Sequence, residues 1–341
     1  MWWRRPRSGI FGHLFVGLWI FAAIGFGVYL LSLRETPDRI IYGVSFTKLF
    51  ADELDLNWRD VYIATLDDLK VRRLRLAAHW PMIEPARDVY DFSAMDYQIR
   101  EASKRDAEII LAVGRRLPRW PECHTPSWVG TMPWDEQKDE IRQYLIKVVD
   151  RYRTEPAIKY WQVENEPYLH AFAGHICGEL DEEFLKEEIA LVRQLDPTRP
   201  ILVTDSGNLG TWYRPYSAGD AFGTSVYVHF WTPELGQFET ILPPFFYRIK
   251  ANLMRLFGDK PVILIELSGE PWLVEPITDV DVETQLTRMD IEKFDDILKY
   301  AEATRFEEQY LWGVEWWYWM RERGHPEFWT RAQELFSESP N

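Results

Sequence analysis

The chain has 341 residues, 46% hydrophobic and 27% charged, a balance that excludes a largely disordered polypeptide. Setting aside an apolar N-terminal segment leaves enough chain for one large α/β barrel, which typically needs roughly 250 residues. The formal net charge is −15, and the only formal charges before Glu35 are Arg4, Arg5, Arg7 and Arg34, so the remainder is more acidic still. Such a surface repels phosphates and excludes nucleic acid as a partner, while it suits a neutral or cationic ligand.

The first element in chain order is the stretch 10–33, 24 residues without a formally charged side chain. At about 1.5 Å per residue it is long enough to span a hydrocarbon core of roughly 30 Å as a helix. Arg4, Arg5 and Arg7 precede it, whereas the far flank mixes both signs at Arg34, Glu35, Asp38 and Arg39. The positive-inside rule then assigns residues 1–9 to a cytoplasmic basic tail, 10–33 to a transmembrane signal anchor and everything beyond to the extracytoplasmic side. A cleaved signal peptide is the competing reading, but its apolar region is shorter and ends in small residues. After a linker at 34–39, residues 40–341 read as one catalytic domain.

Within that domain short apolar segments rich in β-branched residues alternate with amphipathic runs. The expected strands are 40–46, 71–77, 108–113, 160–165, 201–204, 223–228, 262–266 and 310–316, with the character of strands buried on both faces. The expected helices between them are 58–69, 93–105, 135–152, 182–195, 239–257 and 283–306, with 326–336 after the last strand. The connection 205–222 shows no clear helix. Eight strands with about eight connections predict an α/β fold, a closed (β/α)₈ TIM barrel preceded by one transmembrane helix. A doubly wound open sheet is the alternative, but no glycine-rich phosphate loop follows an early strand.

In a barrel of this kind chemistry sits at the carboxyl ends of the strands. The fourth strand ends Val163-Glu164-Asn165-Glu166-Pro167, and the seventh ends Ile265-Glu266. Carboxylates there are costly unless solvated or paired, and strands four and seven face each other across the mouth. Two facing carboxylates are the equipment of glycoside hydrolysis: one donates a proton to the leaving oxygen, the other attacks the anomeric carbon. The chain also holds 17 Trp, 16 Tyr and 19 Phe, and flat aromatic faces suit stacking on sugar rings.

At these residues the sequence resembles the clan A glycoside hydrolases, the retaining (β/α)₈ superfamily that includes cellulase-like, β-xylosidase-like and β-galactosidase-like families. The resemblance covers essentially everything after Arg39. It rests on Asn165-Glu166-Pro167, on Ile265-Glu266, on Leu74-Arg75-Leu76 with Trp80, and on Trp80-Pro81-Met82-Ile83-Glu84-Pro85 followed by Val89-Tyr90-Asp91-Phe92 and Asp96. It implies Glu166 as acid/base, Glu266 as nucleophile, Arg75 as the nucleophile's support and Asn165 as a ligand of the sugar 2-hydroxyl. It further implies Tyr227, or His229 two residues on, as a partner of the nucleophile, and a platform tryptophan ending strand eight, taken as Trp317 with Trp316 one residue away. Trp120 and Trp231, with Trp128, Trp134, Tyr168, Trp212 and Trp272, fall in strand-to-helix loops and are read as a saccharide cleft.

The expected activity is retaining hydrolysis of a β-linked oligo- or polysaccharide. Two other readings share these residues: a surface carbohydrate-binding protein on a retired barrel, and a transglycosylase that remodels surface glycans. No cofactor is expected, and no metal, since HExxH, calcium-loop and CxxC patterns are missing. Cys123 and Cys177 lie in loops after adjacent strands, so a disulfide between them and two free thiols are both open.

Overall fold

The computed structural model describes residues 8–32 and 37–339. Residues 1–7 of the expected basic tail, residue 33 of the expected anchor, residues 34–36 of the expected linker and residues 340–341 lie outside the described residues. Eight parallel strands close a barrel: β1 (Ile41–Phe46), β2 (Arg73–Ala77), β3 (Glu108–Val113), β4 (Ile158–Val163), β5 (Ile201–Asp205), β6 (Ala221–Val226), β9 (Val262–Ser268) and β10 (Glu308–Trp312). Their order around the barrel is β1-β10-β9-β6-β5-β4-β3-β2. Between β6 and β9 the chain adds an antiparallel hairpin of β7 (His229–Thr232) and β8 (Gly236–Glu239). The expected (β/α)₈ barrel is therefore the observed one.

Two apolar layers hold it together. Ile110, Leu202, Ala221, Ile263, Ile265 and Tyr310 fill the barrel interior, and a larger core fills the space between strands and outer helices. Parallel strands need both faces covered, which is why they read as continuous apolar runs rather than alternating ones.

Three departures from the expected elements bear on function. The last barrel strand stops at Trp312 rather than continuing to 316, because Gly313 turns with φ 116° into the helix Val314–Arg321. A side chain at Gly313 would also press against Gly269 and Glu270, so the turn has no room for a Cβ. The helix expected over 239–257 starts at Pro244, where Pro243 and Pro244 set the first turn. The run 283–306 is two helices, Val282–Arg288 and Ile291–Thr304, separated where Asp290 caps the second by accepting from the Lys293 amide. The weak fifth connection carries a single short helix, Tyr213–Ala218.

The N-terminal helix, Ser8–Ser32, runs 25 residues. Its far end docks on the helix Pro244–Arg255: Leu30 is buried and the Asn252 amide donates to the Leu30 carbonyl at 2.5 Å. Most of its other described apolar side chains stay exposed, Leu18 at 69% and Phe21 at 77%. Among the described residues no helix is long and apolar enough to cross a membrane, so the expected transmembrane anchor gains no support from the fold. Some side chains within this helix, His13 and Leu14 among them, are not described.

Candidate active site

Arg75, on β2, is 1% exposed, and burying a guanidinium is tolerable only if its donors are used. Each of its faces is: Nε donates to Gln162 Oε1 at 2.8 Å, Nη1 to Glu266 Oε1 at 2.6 Å and Nη2 to Asn165 Oδ1 at 2.7 Å. Tyr227 donates its hydroxyl to the other oxygen of Glu266 at 2.9 Å. Burial and the charges of Glu266, Glu166 and Glu122 push the Tyr227 phenol well above its usual range, so it stays protonated and able to donate.

Glu266 reaches this position through an irregularity in β9. Ile263 and Ile265 point into the barrel, and strict alternation would turn the next side chain away. The register against β6 jumps instead, from Thr224 opposite Leu264 to Ser225 opposite Glu266. One extra residue in β9 resets the facing and brings Glu266 to the mouth beside Arg75.

Glu166 follows β4 with φ 43°, a left-handed conformation uncommon for a residue with a side chain. Two neighbouring strands hold it: its amide donates to Thr204 Oγ1 at 2.8 Å, and Ser225 donates to its carboxyl at 2.7 Å. Ser225 is also the register partner of Glu266, so one strand position links the two carboxyl groups. Burial first, then the charge of Glu266, raises the Glu166 carboxyl well above the ordinary range. An acid that keeps its proton therefore stands beside one that accepts from a buried arginine.

Asn165 is 1% exposed, and its amide orientation is fixed by its neighbours. Its oxygen accepts from Arg75, from Gln162 Nε2 at 3.3 Å and from Thr204 at 3.4 Å, which turns Nδ2 toward the site. Nδ2 donates to Glu122 Oε2 at 3.2 Å. Glu122 comes from the loop after β3, built around a cis Trp120–Pro121 bond, and itself adopts φ 70°. The loop is fixed from both sides. Glu164 accepts the amides of Arg115 and Arg116, each at 2.6 Å, and Cys123 is disulfide-bonded to Cys177 of the loop after β4. Burial and the charge of Glu266 raise Glu122 to about 7.

A cavity of about 430 Å³ opens beside Glu266. Its lining includes Arg75, Arg119, Trp120, Glu122, Tyr227, Trp272 and Trp312, but neither Glu166 nor Asn165. Trp272 stands edge-on to Tyr227 with centroids 5.3 Å apart, and Trp312 does the same at 6.1 Å. Arg119 pairs with Glu270 and lies between the rings of Phe50 and Trp312, at 3.5 Å and 4.7 Å from their centroids.

The structure thus brings together Glu166, Glu266, Arg75, Asn165, Tyr227 and Trp120. Trp272 joins them at the cavity, whereas Trp128, Trp134, Tyr168 and Trp212 of the expected cleft do not line it, and three other expected ligands also fall elsewhere. Trp317 is fully buried in the core, its indole donating to the Gly269 carbonyl, because the helix after Gly313 carries it inward; Trp312 lines the cavity instead. His229 begins the β7–β8 hairpin with Glu239 at 3.6 Å and does not line the cavity, since β6 has already ended and its alternation no longer applies. Trp231 lies further along the hairpin, stacked by Arg288 at 3.6 Å. Glu122, Arg119, Glu270, Thr204, Ser225 and Trp312 were not singled out by sequence. Of these only Trp312 carried a signal, as an aromatic near the end of a barrel strand. Among the described residues no group of three or more His, Cys, Asp or Glu is placed to hold a metal ion.

The chain is similar to several known proteins. Residues 133–257 match the model of glycoside hydrolase family 42, described as β-galactosidase. The β-galactosidase BgaH of Haloferax lucentense is 24% identical over 185 residues, 48% of this chain and 24% of that protein. A β-galactosidase of an Arthrobacter species is 25% identical over 183 residues, 48% of this chain and 23% of that protein. The chain therefore matches about a quarter of the length of these relatives. The β-galactosidase from Bacillus circulans sp. alkalophilus shares the fold, with a TM-score of 0.61 and 13% identity over 88% of this chain and 56% of that one. GH5_18 from Bifidobacterium longum subsp. longum does so with a TM-score of 0.56 and 14% identity, over 81% of this chain and 70% of that one. These matches support a likeness to the clan A glycoside hydrolases.

Proposed function

We propose that this clan A barrel is a retaining β-glycosidase acting on an oligo- or polysaccharide by double displacement. In the first half-reaction Glu166 donates its proton to the glycosidic oxygen as that bond breaks, and a Glu266 oxygen bonds to the anomeric carbon. In the second, Glu166, now ionised, takes a proton from water, whose oxygen displaces Glu266 from the same carbon. The observation that carries this reading is the asymmetry of the pair. Glu266 accepts from Arg75 and Tyr227, whereas Glu166 is buried against Glu266's charge and held protonated. Trp312 offers the aromatic wall of the cavity beside Glu266. The intact pair is what a retired carbohydrate-binding barrel would not need, while transglycosylation differs only in an acceptor sugar replacing water.

The relatives' names make an aryl β-galactoside the first substrate to try, with aryl β-xylosides, β-glucosides and soluble polysaccharides beside it. Glu266→Gln is expected to lose about 10⁴-fold or more in kcat on whichever substrate the native chain cleaves. Full activity of that variant, or a product released with inverted anomeric configuration, would overturn the reading.

We also propose that residues 10–33 anchor the chain in a membrane with the barrel on the extracytoplasmic side. The support is the uncharged stretch behind Arg4, Arg5 and Arg7, the apolar exposure of the helix and a disulfide suited to an oxidising compartment.

A further inference from the structure

The cavity beside Glu266 is lopsided about the catalytic pair. Its lining comes from the carboxyl ends of β1, β2, β3, β6, β9 and β10 and the loops after them. Among the described residues, none from β4, β5 or their loops takes part. Glu166 stands just past β4, and the leaving oxygen must lie beside it to take its proton. The leaving group therefore departs over β4 and β5, and the cavity lies on the side of the sugar that Glu266 retains. In the barrel order β10 and β1 stand opposite β4 and β5, so the end of the cavity remotest from the leaving group is the one over β1 and β10.

That end holds more than a single ring requires. The cavity measures about 430 Å³, within the range of roughly 300–1,000 Å³ that encloses drug-sized ligands, which are larger than one pyranose. Past Trp312 its wall is formed by Arg119, Glu270 and Glu53, the last residue of the helix Lys48–Glu53 that follows β1. The charges of Arg119 and Glu270 both act on the Glu53 carboxyl, which places the three at one end. Arg119 comes from the loop after β3 that the Cys123–Cys177 disulfide fixes, and its charge is already used. Both its terminal nitrogens donate to Glu270, and its faces lie on Phe50 and Trp312. The Glu53 carboxyl, by contrast, stands at the rim and is hydrogen-bonded to no described residue. A free carboxylate accepts from hydroxyls, and with Arg119 neutralised nothing at this end matches the carboxylate of a uronic acid. The geometry assigns this end of the cavity as a subsite for a second, neutral sugar on the side that Glu266 retains, with Glu53 accepting from its hydroxyls. The chain then releases units of two or more sugars rather than single sugars. This rests on the double-displacement reading, which puts the retained sugar on Glu266 and the leaving oxygen at Glu166.

The test compares 4-nitrophenyl β-glycosides of galactose, glucose, xylose and mannose with those of their β-1,3- and β-1,4-linked disaccharides, on the native chain, Glu53→Ala and Glu266→Gln. For the sugar it prefers, the native chain should show at least about 10-fold higher kcat/KM on a disaccharide glycoside, the lower end for one hydrogen bond to a charged group, and should release that disaccharide intact. Glu53→Ala should lower the disaccharide-to-monosaccharide ratio of kcat/KM by roughly 10-fold. A folding defect depresses both substrates alike and cancels in this ratio. Equal or higher kcat/KM on the monosaccharide glycosides, or release of single sugars one at a time, overturns the subsite while leaving the catalytic pair intact. An unchanged ratio in Glu53→Ala overturns the part given to Glu53. Glu266→Gln fully active on either series, or a native chain inactive on both, instead overturns the double-displacement reading itself.

Discussion

Glu166 and Glu266 are the same residue type given opposite tasks by their surroundings. Glu266 receives a buried guanidinium and a phenol hydroxyl, while Glu166 receives one serine hydroxyl and the repulsion of its neighbour. Burial disfavours charge on Glu166, which faces no positive charge of its own, whereas Glu266 accepts from the Arg75 guanidinium. A general acid works only while protonated, so kcat/KM should fall as pH rises through the Glu166 pKa, and that limb should lie well above the ordinary carboxyl range. Glu166→Ala should abolish this limb. It should also slow substrates with poor leaving groups far more than 2,4-dinitrophenyl glycosides, whose departure needs no proton. A pH–rate series on the native chain and the variant checks both; an unchanged alkaline limb in Glu166→Ala would assign the proton donor elsewhere.

Elements convert sequence into this site unevenly. The two glutamates are legible because each stands near the carboxyl end of an apolar strand, one before a proline, and strand ends carry barrel chemistry. Arg75, Asn165 and Tyr227 are legible only through the resemblance to the clan's motifs. Trp312 is obscured because the aromatic run 316–319 looks like strand, and only the left-handed turn at Gly313 shows that it is helix. The β9 bulge that aims Glu266, and the fold of the β3 loop that delivers Glu122, depend on contacts with β6, β4 and Cys177 that no local pattern announces. His229 lies outside the cavity because alternation stops where β6 ends. The disulfide ties two such loops across 54 residues, a closure worth about 4 kcal/mol in the chain-entropy relation. Cys123→Ser with Cys177→Ser should lower Tm by several degrees and reduce kcat/KM, because Glu122 adjoins Cys123. Calorimetry and kinetics on the double variant test this, and unchanged values for both would remove the loop's proposed role.

The whole molecule joins an acidic barrel to an apolar helix that meets it at Leu30 and Asn252. The clan signature spreads over the barrel, so it is readable from the sequence even where individual ligands are not. The helix is a separate matter, since its composition speaks for a membrane while its described residues fall short of a span. The full chain should sediment with membranes and be released by detergent but not by high salt. A chain starting at residue 37 should stay soluble with its kcat unchanged, because none of the cavity's lining comes from the helix. A full chain that remains in the soluble fraction would refute the anchor without touching the chemistry.

The central claim, a covalent intermediate on Glu266, is tested most directly by trapping it. A 2-deoxy-2-fluoro β-glycoside with a good leaving group, of the sugar the chain cleaves, should inactivate it and add one fluoroglycosyl mass. Peptide mapping should place that mass on Glu266. Label on another residue, or turnover with inversion and no adduct, would contradict the account.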